Sequence, residues 1–280
     1  MKPDSIPTTS RIMRSHPCFS DEAHDRVGRI HLPVATRCNI RCNYCEHQVC
    51  SDIRHPGWTA KVLSVTEAAD LIESVMRRQQ VPDFVVGVAG PGDALANDHT
   101  FQLLTLIRRR YPQVTTCLCT NGLLLEDKLA EISSAGVMAL TVTVNACDSR
   151  VGGLIYSWVR YRGAICRGEQ AADLLISRQF AGIEKAVAAG FAVKVNTVLI
   201  PGVNDRHIGE LARRLGEVGV KVMNIMPLIP SGKMKRCMAP TCDELEKARR
   251  NCENILPQFH RCQQCRADVV FLPEKRLASV

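Results

Sequence analysis

The sequence predicts an α/β fold in the form of a partial (β/α)₆ barrel, an open relative of the eight-stranded barrel. Six short β-rich runs lie along the 280 residues, amphipathic helical stretches separate them, and no internal repeat or long linker divides the chain. Such alternation is typical of a parallel sheet covered by helices. The barrel is predicted over residues 29–230, with an N-terminal extension over 1–28 and a C-terminal tail over 231–280 that packs on the barrel mouth.

The predicted strands are short and rich in apolar and β-branched residues. They span residues 29–35, 84–89, 115–119, 139–145, 192–199 and 221–226. After the first strand, an amphipathic helix is predicted to begin at Thr66, because threonine is a frequent N-terminal cap. The carboxyl ends of parallel strands meet at one edge of a barrel, so functional residues are expected in the segments that follow the strands.

The segment after the first predicted strand carries Cys38, Cys42 and Cys45 in a CxxxCxxC pattern. Thiolates are the ligands of iron–sulfur clusters, and three of them on a tight loop hold three corners of a cubane and leave one iron open. Short cysteine runs also bind zinc, form disulfides or pack as small hydrophobic side chains. Zinc sites usually pair one CxxC with another or with histidines, so the asymmetric triplet favours a cluster.

The composition is that of a protein from a reduced compartment. The chain has 14 cysteines and a polar N-terminus, and no run approaches the ~18 apolar residues of a membrane span. A cytoplasmic protein without a membrane partner is expected, in which metal binding explains the cysteines. The formal net charge is +8, but the basic residues are scattered and aromatic residues make up only 5%. Nucleic acid is therefore not a predicted partner.

The remaining cysteines predict further metal sites outside the triplet. Three of them lie in separate parts of the sequence, namely Cys18, Cys50 and Cys117. Three others lie near the C-terminus, namely Cys252, Cys262 and Cys265. The last two form a CxxC pair. Five others have no partner at ligand spacing and are expected to pack or to lie exposed: Cys119, Cys147, Cys166, Cys237 and Cys242.

Several runs, taken in order, resemble the NifB family, radical S-adenosylmethionine (SAM) proteins of nitrogenase cofactor biosynthesis. The runs are HPCFSDEAH, GRIHLPVATRCNIRCNYC, GVAGPGDALAN, CLCTNGLLL, TVTVNACD, IYSWVRYRG, VKVNTVLIPGVND, NIMPLIPSG and CQQCRAD. The resemblance implies a radical SAM barrel, whose CxxxCxxC cluster binds SAM at the open iron and cleaves it to a 5'-deoxyadenosyl radical. It also implies that two substrate [4Fe-4S] clusters are fused, with a SAM-derived carbide and a sulfur, into an eight-iron cofactor precursor.

The resemblance implies ligands for three clusters. Cys38, Cys42 and Cys45 would hold the SAM-cleaving [4Fe-4S] cluster. The candidates for one substrate cluster are Cys18, His31, Cys50 and Cys117, with His24 and Cys119 as competitors, and those for the other are Cys252, Cys262 and Cys265. The cluster at the tail cysteines is expected to accept a methyl group from SAM, which gives Cys252 a catalytic role. Arg266 and Asp268 are expected to pair and to lock the tail.

The resemblance also implies a set of SAM contacts. The candidates are Tyr44, Gly90, Gly92, Asp93, Asn145 and Asn196. The two glycines would let the backbone come close to SAM, and Asp93 would place a carboxylate near its ammonium group. The implied partners are iron–sulfur cluster donor proteins, an electron donor such as a ferredoxin, and a downstream cofactor carrier or scaffold.

One segment departs from the family pattern. Where the family reads Glu-x-Arg-Pro, this chain reads Ile53-Arg54-His55-Pro56, with Asp52 one position earlier. The change removes a carboxylate that is a candidate proton acceptor or cluster contact. Two alternatives therefore stay open. One is a divergent radical SAM paralogue or maturase that uses auxiliary clusters on another substrate, and the other is a non-catalytic cluster carrier or a zinc-bearing nucleic-acid binder.

Overall fold

The computed structural model describes residues 8–46, 48–51, 55–78 and 83–273. The strands are β1 (Gly28–His31), β2 (Ile40–Cys42), β3 (Phe84–Val88), β4 (Thr115–Thr120), β5 (Ala139–Thr143), β6 (Tyr156–Tyr161), β7 (Ala164–Arg167), β8 (Ala192–Leu199), β9 (Val222–Pro227) and β10 (Val270–Phe271). The helices are α1 (Thr8–Ser15), α2 (Val65–Arg77), α3 (Asp98–Arg110), α4 (Leu125–Ser134), α5 (Ser149–Ile155), α6 (Gly168–Ala188), α7 (Ile208–Glu217) and α8 (Cys242–Glu253). Two short 3₁₀ turns span Ala94–Ala96 and Gly232–Met234.

The main sheet has seven strands in the order β10-β1-β3-β4-β5-β8-β9. Neighbouring strands from β1 to β9 are parallel, and β10 is antiparallel to β1. The six parallel strands are those predicted from the sequence, and they lie side by side in chain order, as in a barrel that stays open. The prediction of a partial (β/α)₆ barrel is confirmed.

The helices cover this sheet because their apolar faces pack against the strands. Ile72 of α2, Leu104 of α3 and Ile183 of α6 are fully buried in one core with Ile30 of β1 and Val195 of β8. Within the described ranges, no helix combines the length and hydropathy that crossing a lipid bilayer requires.

Two element boundaries differ from the sequence prediction. Helix α2 begins after Ser64 and not at Thr66, because Ser64 and Glu67 form a capping box in which each side chain accepts a hydrogen bond from the other residue's amide. Strand β1 ends at His31, short of the predicted end at residue 35. Pro33, two residues further on, has no amide hydrogen to donate to a neighbouring strand.

A second sheet, of three antiparallel strands in the order β2-β6-β7, was not predicted. Strands β6 and β7 form a hairpin through Arg162 and Gly163, which both have positive φ angles. Strand β2 pairs with β6 and carries Cys42. The small sheet therefore supports one side of the cysteine loop, defined as residues 38–45.

The N-terminal and C-terminal segments both pack against the main sheet. Ile12 and Phe19 form an apolar group with Cys117 of β4 and Ala192 of β8. The C-terminal segment adds β10 to the edge of the sheet beside β1. Residues near both termini are thereby attached to the main sheet.

Candidate active site

Two adjoining cavities lie on the inner face of the main sheet. The smaller cavity, of about 160 Å³, is lined by all three cysteines of the cysteine loop. The larger cavity, of about 260 Å³, is lined by side chains from the N-terminal segment, the strands and the C-terminal segment. Tyr44, Cys45 and Cys119 belong to both walls. A molecule in the smaller cavity would therefore lie next to one in the larger.

Hydrogen bonds to the backbone hold the cysteine loop. Asn43 N donates to Ile155 O at 2.8 Å, and Cys45 N donates to Cys42 O at 3.2 Å. Burial and the neighbouring thiols of Cys45 and Cys38 raise the pKa of Cys42 well above its ordinary value. A thiol of this kind ionises when a cation accepts its charge, so Cys42 is suited to bind a metal group.

The three thiols fit a [4Fe-4S] cluster better than a single ion. A zinc ion needs its ligands around one centre, whereas each thiolate of a cubane binds a different iron. Among the described residues, no group of three or more His, Cys, Asp or Glu side chains is arranged around one ion. Cys38, Cys42 and Cys45 line one cavity wall and would hold such a cluster by three of its irons.

The predicted glycine-rich segment packs directly against the start of the cysteine loop. A Cβ atom on Gly92 would overlap the carbonyl oxygen of Arg37, and Gly92 N donates to Ala35 O at 2.5 Å. Gly90 has a φ of 139° and lies against Gly57. Only glycine allows this approach without strain. The two glycines thus position the backbone beside Cys38.

Asp93 lines the smaller cavity and joins two strand ends. Its carboxylate accepts hydrogen bonds from Leu95 N at 3.0 Å, Asn121 N at 2.6 Å and the Thr120 hydroxyl at 3.0 Å. The side chain therefore fixes the loops after β3 and β4 at the wall of the smaller cavity.

The other predicted SAM contacts divide between the two cavities. Asn145 Nδ2 donates to the Tyr44 hydroxyl at 2.8 Å, while Asn145 Oδ1 accepts from Val198 N. Burial raises the pKa of Tyr44, so its hydroxyl stays neutral. Asn196 lines the larger cavity and accepts a hydrogen bond from Asn224. Asn145 thus positions Tyr44, and Asn196 lines the larger cavity and not the smaller one.

His31 and Cys117 face the larger cavity from β1 and β4, the strands on either side of β3. Gly87 of β3 separates them, and a Cβ built there would lie 2.9 Å from Cys117 Sγ and 3.4 Å from His31 Cδ2. The Nδ1–H of His31 donates to Arg266 O at 3.0 Å, which leaves Nε2 as an acceptor. Burial lowers the pKa of His31, so the ring is neutral. A neutral imidazole oriented by a carbonyl is the usual state of a metal ligand.

Three more thiols line the larger cavity away from the cysteine loop. Cys18 comes from the N-terminal segment, and Cys262 and Cys265 come from the C-terminal segment. Burial raises the pKa of Cys18, and the nearby thiols Cys265 and Cys262 add to this effect. The structure therefore brings Cys18 to the CxxC pair.

Arg266 and Asp268 pair as predicted, with Nε and Oδ1 2.9 Å apart. Asp268 also accepts from Ala60 N at 2.5 Å, and Arg266 donates to Cys50 O at 2.7 Å. These contacts connect the segment after Cys265 to the segment that precedes α2. They fix the carbonyl of Arg266, to which His31 is bonded.

The comparisons with known proteins agree with this geometry. Residues 32–215 match the family model of the Radical SAM superfamily. The chain is 42% identical to the FeMo cofactor biosynthesis protein NifB of Methanocaldococcus infernus over 272 residues, which cover 96% of this chain and 89% of that protein. This chain belongs to the NifB family. It is also 39% identical to the NifB protein of Klebsiella pneumoniae, covering 91% of this chain and 56% of that protein.

Solved structures with the same fold are much more distant from this NifB-family chain in sequence. SuiB of Streptococcus suis bound to its precursor peptide aligns with a TM-score of 0.59 at 11% identity, over 86% of this chain and 50% of that one. A radical SAM methyltransferase from Sphaerobacter thermophilus aligns with a TM-score of 0.57 at 18% identity, over 84% of this chain and 65% of that one. Both confirm the radical SAM barrel and carry no argument about the substrate.

Two predicted ligands do not line the larger cavity. Cys252 is 1% exposed and is buried in the apolar core near the end of α8. Residues 253–261 separate it from Cys262, and Pro257 O accepts a hydrogen bond from Met223 N of β9 on the way. Cys50 lies beside the cavity, with its carbonyl bonded to Arg266. Asp52, Ile53 and Arg54 lie outside the described residues.

Four basic side chains of the larger cavity were not predicted as site residues. Two are buried cations, Arg29 and Lys194, and two are buried histidines, His16 and His55. Lys194 donates to Cys18 O at 2.8 Å, and Arg29 donates to Gln263 Oε1 at 2.8 Å. Buried cations favour bound anions, including thiolate-ligated clusters. The sequence could have indicated Arg29 and Lys194, because each is a charged residue inside an otherwise apolar strand. Such residues are rarely buried without a partner.

His24 and Cys119, the two competitors in the sequence, also line the larger cavity. The Nδ1–H of His24 donates to Pro17 O at 2.8 Å. Cys119 and Cys117 share one face of β4, as expected from the alternation of side chains along a strand. Burial raises the pKa of Cys119 to about 12. Both residues are close enough to the site to remain candidate ligands.

Proposed function

We propose that this protein is a radical SAM enzyme of FeMo cofactor biosynthesis that makes the eight-iron precursor from two [4Fe-4S] substrate clusters, a SAM-derived carbide and a sulfur. The observation that carries the proposal is the pair of adjoining cavities. One is lined by the CxxxCxxC thiols, and the other by thiols and imidazoles from separate segments. The names of the related proteins support the pathway.

In this proposal the smaller cavity holds SAM. Cys38, Cys42 and Cys45 bind the resident [4Fe-4S] cluster, which supplies reductive cleavage of SAM when it is bound. Asp93 accepts the ammonium group, and the backbone at Gly92 follows the amino-acid part of SAM. Tyr44, positioned by Asn145, forms part of the wall between the two cavities.

The larger cavity holds the substrate clusters in this proposal. His31 and Cys117 bind one of them, and Cys18, Cys262 and Cys265 bind the other. A neutral imidazole adds no charge to the cluster it binds, which favours later release. Apolar side chains such as Phe259 and Val198 exclude water from the same space, and exclusion of water and oxygen protects a reactive radical.

In the proposed reaction, a sulfide of the cluster bound by Cys18, Cys262 and Cys265 accepts a methyl group from one SAM, which leaves as S-adenosylhomocysteine. The radical from a second SAM removes one hydrogen from that methyl group and leaves as 5'-deoxyadenosine. The carbon then bonds to iron as its bond to sulfur breaks. Its two remaining hydrogens leave as protons, and the irons of the fusing clusters supply the electrons. The protein positions the reactants for each step.

The proposed partners follow from the reaction. Cluster donor proteins supply the substrate clusters, a ferredoxin-like protein supplies the electron for SAM cleavage, and a carrier or scaffold receives the product. A second function is favoured by the loss of the Glu-x-Arg-Pro acid at Ile53. In that case the protein is a divergent radical SAM paralogue or maturase that keeps auxiliary clusters and acts on another substrate.

The test is an anaerobic assay of the reconstituted, reduced protein with methyl-labelled SAM. S-adenosylhomocysteine, 5'-deoxyadenosine and label in the extracted cluster are measured together. Both nucleosides with labelled cluster are the expected result. 5'-Deoxyadenosine without S-adenosylhomocysteine or labelled cluster would favour the divergent paralogue, and the absence of both nucleosides would favour a cluster carrier.

A further inference from the structure

His55 lies in the wall of the larger cavity, at the segment where this chain departs from the family pattern. The side chain is 8% exposed, and its ring stacks on Trp58 with centroids 4.6 Å apart. It occupies the position of the arginine in Glu-x-Arg-Pro, and Pro56 is kept. An arginine has no acceptor atom, whereas an imidazole has one. The exchange therefore introduces a possible metal ligand.

The hydrogen bonds of His55 define which ring nitrogen is free. Nδ1–H donates to Pro56 O at 2.8 Å, so Nε2 carries the lone pair. Nε2 is buried and has no hydrogen-bond partner among the described residues. Burial lowers the pKa of His55, which keeps the ring neutral and the lone pair available. A buried acceptor without a partner is unfavourable unless a ligand satisfies it.

The same arrangement is found at His31 and differs at His16. His31 also donates Nδ1–H to a backbone carbonyl, that of Arg266. His16 Nδ1 instead accepts from Cys18 N at 3.1 Å, so its proton is on Nε2 and that nitrogen cannot bind iron. Metal-bound histidines usually donate their second ring nitrogen to a carbonyl or carboxylate. By this criterion His55 belongs with His31, as does His24, whose Nδ1–H donates to Pro17 O.

His55 and His31 are also positioned by consecutive residues of the C-terminal segment. Trp58 O accepts from Ala267 N at 2.8 Å, and His31 Nδ1 donates to the carbonyl of Arg266. The segment that carries His55 is therefore fixed next to the one that orients His31. We propose that His55 is a second nitrogen ligand of the substrate cluster bound by His31 and Cys117, which rests on the proposed function.

The test uses pulsed electron paramagnetic resonance of protein grown with ¹⁵N-imidazole histidine and loaded anaerobically with substrate clusters. Wild-type protein is expected to show two imidazole nitrogen couplings. His55→Phe, which keeps an aromatic ring against Trp58, and His31→Gln should each lose one coupling. His99→Gln, on the exposed surface of α3, should lose none.

Unchanged couplings in folded His55→Phe would overturn the proposal. Circular dichroism and the iron content of the CxxxCxxC cluster check folding, and His55→Gln replaces the phenylalanine variant if that one does not fold. The readout does not depend on carbide insertion. The wild-type protein could fail to incorporate the methyl label while the His55→Phe variant still loses one coupling. In that case His55 is a ligand and the proposed function is wrong.

A different observation concerns residues 231–238, here called the basic segment, which are attached to the cysteine loop. Lys233 N and Met234 N both donate to Asn43 O, at 2.8 and 3.2 Å. A Cβ on Gly232 would lie 2.8 Å from the same oxygen. Asn43 lies between Cys42 and Cys45, so the basic segment packs directly on the cluster-binding loop.

The basic segment presents positive charge beside this loop. Lys233, Lys235 and Arg236 are exposed, and no acidic residue occurs between positions 229 and 242. No ion pair involves these three side chains in the part of the chain that the structure describes. Met238 is 81% exposed next to them. A group of exposed cations without acidic neighbours favours association with a negatively charged partner.

We infer that the basic segment docks an acidic one-electron donor protein, which rests on the proposed need for SAM cleavage. One electron leaves a reduced low-potential iron–sulfur protein and reduces the cluster bound by Cys38, Cys42 and Cys45. Opposite charges steer such partners together and speed association, most strongly at low salt. The backbone contacts with Asn43 place the docked partner close to that cluster.

The test is the triple variant Lys233→Glu, Lys235→Glu and Arg236→Glu, assayed for 5'-deoxyadenosine with a reduced acidic ferredoxin and with dithionite. The rate with ferredoxin should fall about tenfold, more at low salt, and the rate with dithionite should not change. The control reverses Arg78, Arg109 and Arg110, which are exposed on α2 and α3 or at their ends. It should leave both rates unchanged.

Ferredoxin binding, measured by calorimetry at low salt, keeps this inference independent of catalysis. Unchanged binding in the triple variant, or an equal loss of rate with both reductants, would overturn it. If wild-type protein does not cleave SAM with either reductant, the proposed function fails. Weaker binding in the triple variant would then still support the docking surface.

Discussion

The two cavities differ in how far apart in the chain their residues lie. The smaller cavity depends on the cysteine loop, whose three thiols lie within residues 38–45, and on short loops that follow neighbouring strands. The larger cavity joins segments that are remote in sequence, such as His31 and Arg266, which are separated by 235 residues. One site is therefore built locally and the other by tertiary contacts.

This difference suggests that the two sites are separable. The cysteine loop is supported by β2, β6 and the Gly92 segment, all within or beside the barrel. The larger cavity needs both ends of the chain in place, because Cys18 comes from one and Cys262 from the other. Segments near chain ends are often less stable than the core. SAM cleavage should therefore tolerate changes that abolish cluster fusion.

The largest effect is expected when the local site is broken. Cys42→Ala removes one ligand of the SAM-cleaving cluster and should cost about four irons per chain. SAM cleavage should fall to about one hundredth of the wild-type rate or less. Loss of a direct ligand costs more activity than loss of a group that only orients a ligand. Product nucleosides and iron content measure the effect. Cys166→Ala, on strand β7, is the control and should keep both. Full iron content in Cys42→Ala would contradict the assignment.

A change at the tertiary site should separate the two activities. Cys265→Ala should abolish labelling of the cluster by methyl-labelled SAM but keep 5'-deoxyadenosine formation within about twofold, because the SAM-cleaving cluster is intact. Cys252→Ala is the matched control, since both are cysteines of the C-terminal region but Cys252 is buried in the core. It should keep labelling and lower the free energy of unfolding by about 1 kcal/mol. Equal loss of labelling in both variants would contradict this division.

The sequence predicts the local site well for a physical reason. Ligand spacing in a loop after a strand is a short-range property, so Cys38, Cys42 and Cys45 could be identified without a fold. The six parallel strands were also predictable, because each is a short apolar run that ends in a polar loop. The hairpin of β6 and β7 was missed, since much of its surface is exposed and no long apolar run marks it.

The tertiary site could be predicted only in part. Cys262 and Cys265 form a recognisable CxxC pair, but spacing cannot show that Cys252 points into the core and Cys18 completes the group. Cys18 is far from the pair in the sequence, and a turn separates Cys252 from the pair. Only three-dimensional contacts show where each of these two side chains lies. The protonation of His16 and His55 is likewise set by backbone groups that the sequence does not reveal.

A smaller effect is expected where the glycine-rich segment meets the cysteine loop. Gly92→Ala forces a methyl group onto the carbonyl of Arg37 and should lower the free energy of unfolding by about 1–3 kcal/mol, with weaker SAM binding. Gly209→Ala in α7 is the control, because open space surrounds that position and alanine favours helix by up to about 1 kcal/mol. Chemical denaturation and SAM titration provide the measurements. Wild-type behaviour of Gly92→Ala would mean that the loop can shift without cost.

The smallest effect concerns the contacts that hold the end of the chain. Partial burial raises the pKa of Asp268, but hydrogen bonds from Arg266 and Ala60 outweigh it and hold the pKa below its usual value. A carboxylate with a depressed pKa stabilises the folded state fully above the unfolded pKa of about 3.9, and this contribution is lost as pH falls through the folded pKa. Asp268→Asn should therefore lower the free energy of unfolding by about 1 kcal/mol at pH 7, and the difference from wild type should shrink below about pH 4. Denaturation at several pH values measures it, with Asp70→Asn on the exposed face of α2 as the control. A difference that is independent of pH would show that the charge of Asp268 does not hold the C-terminal segment. The larger cavity would then not depend on that charge.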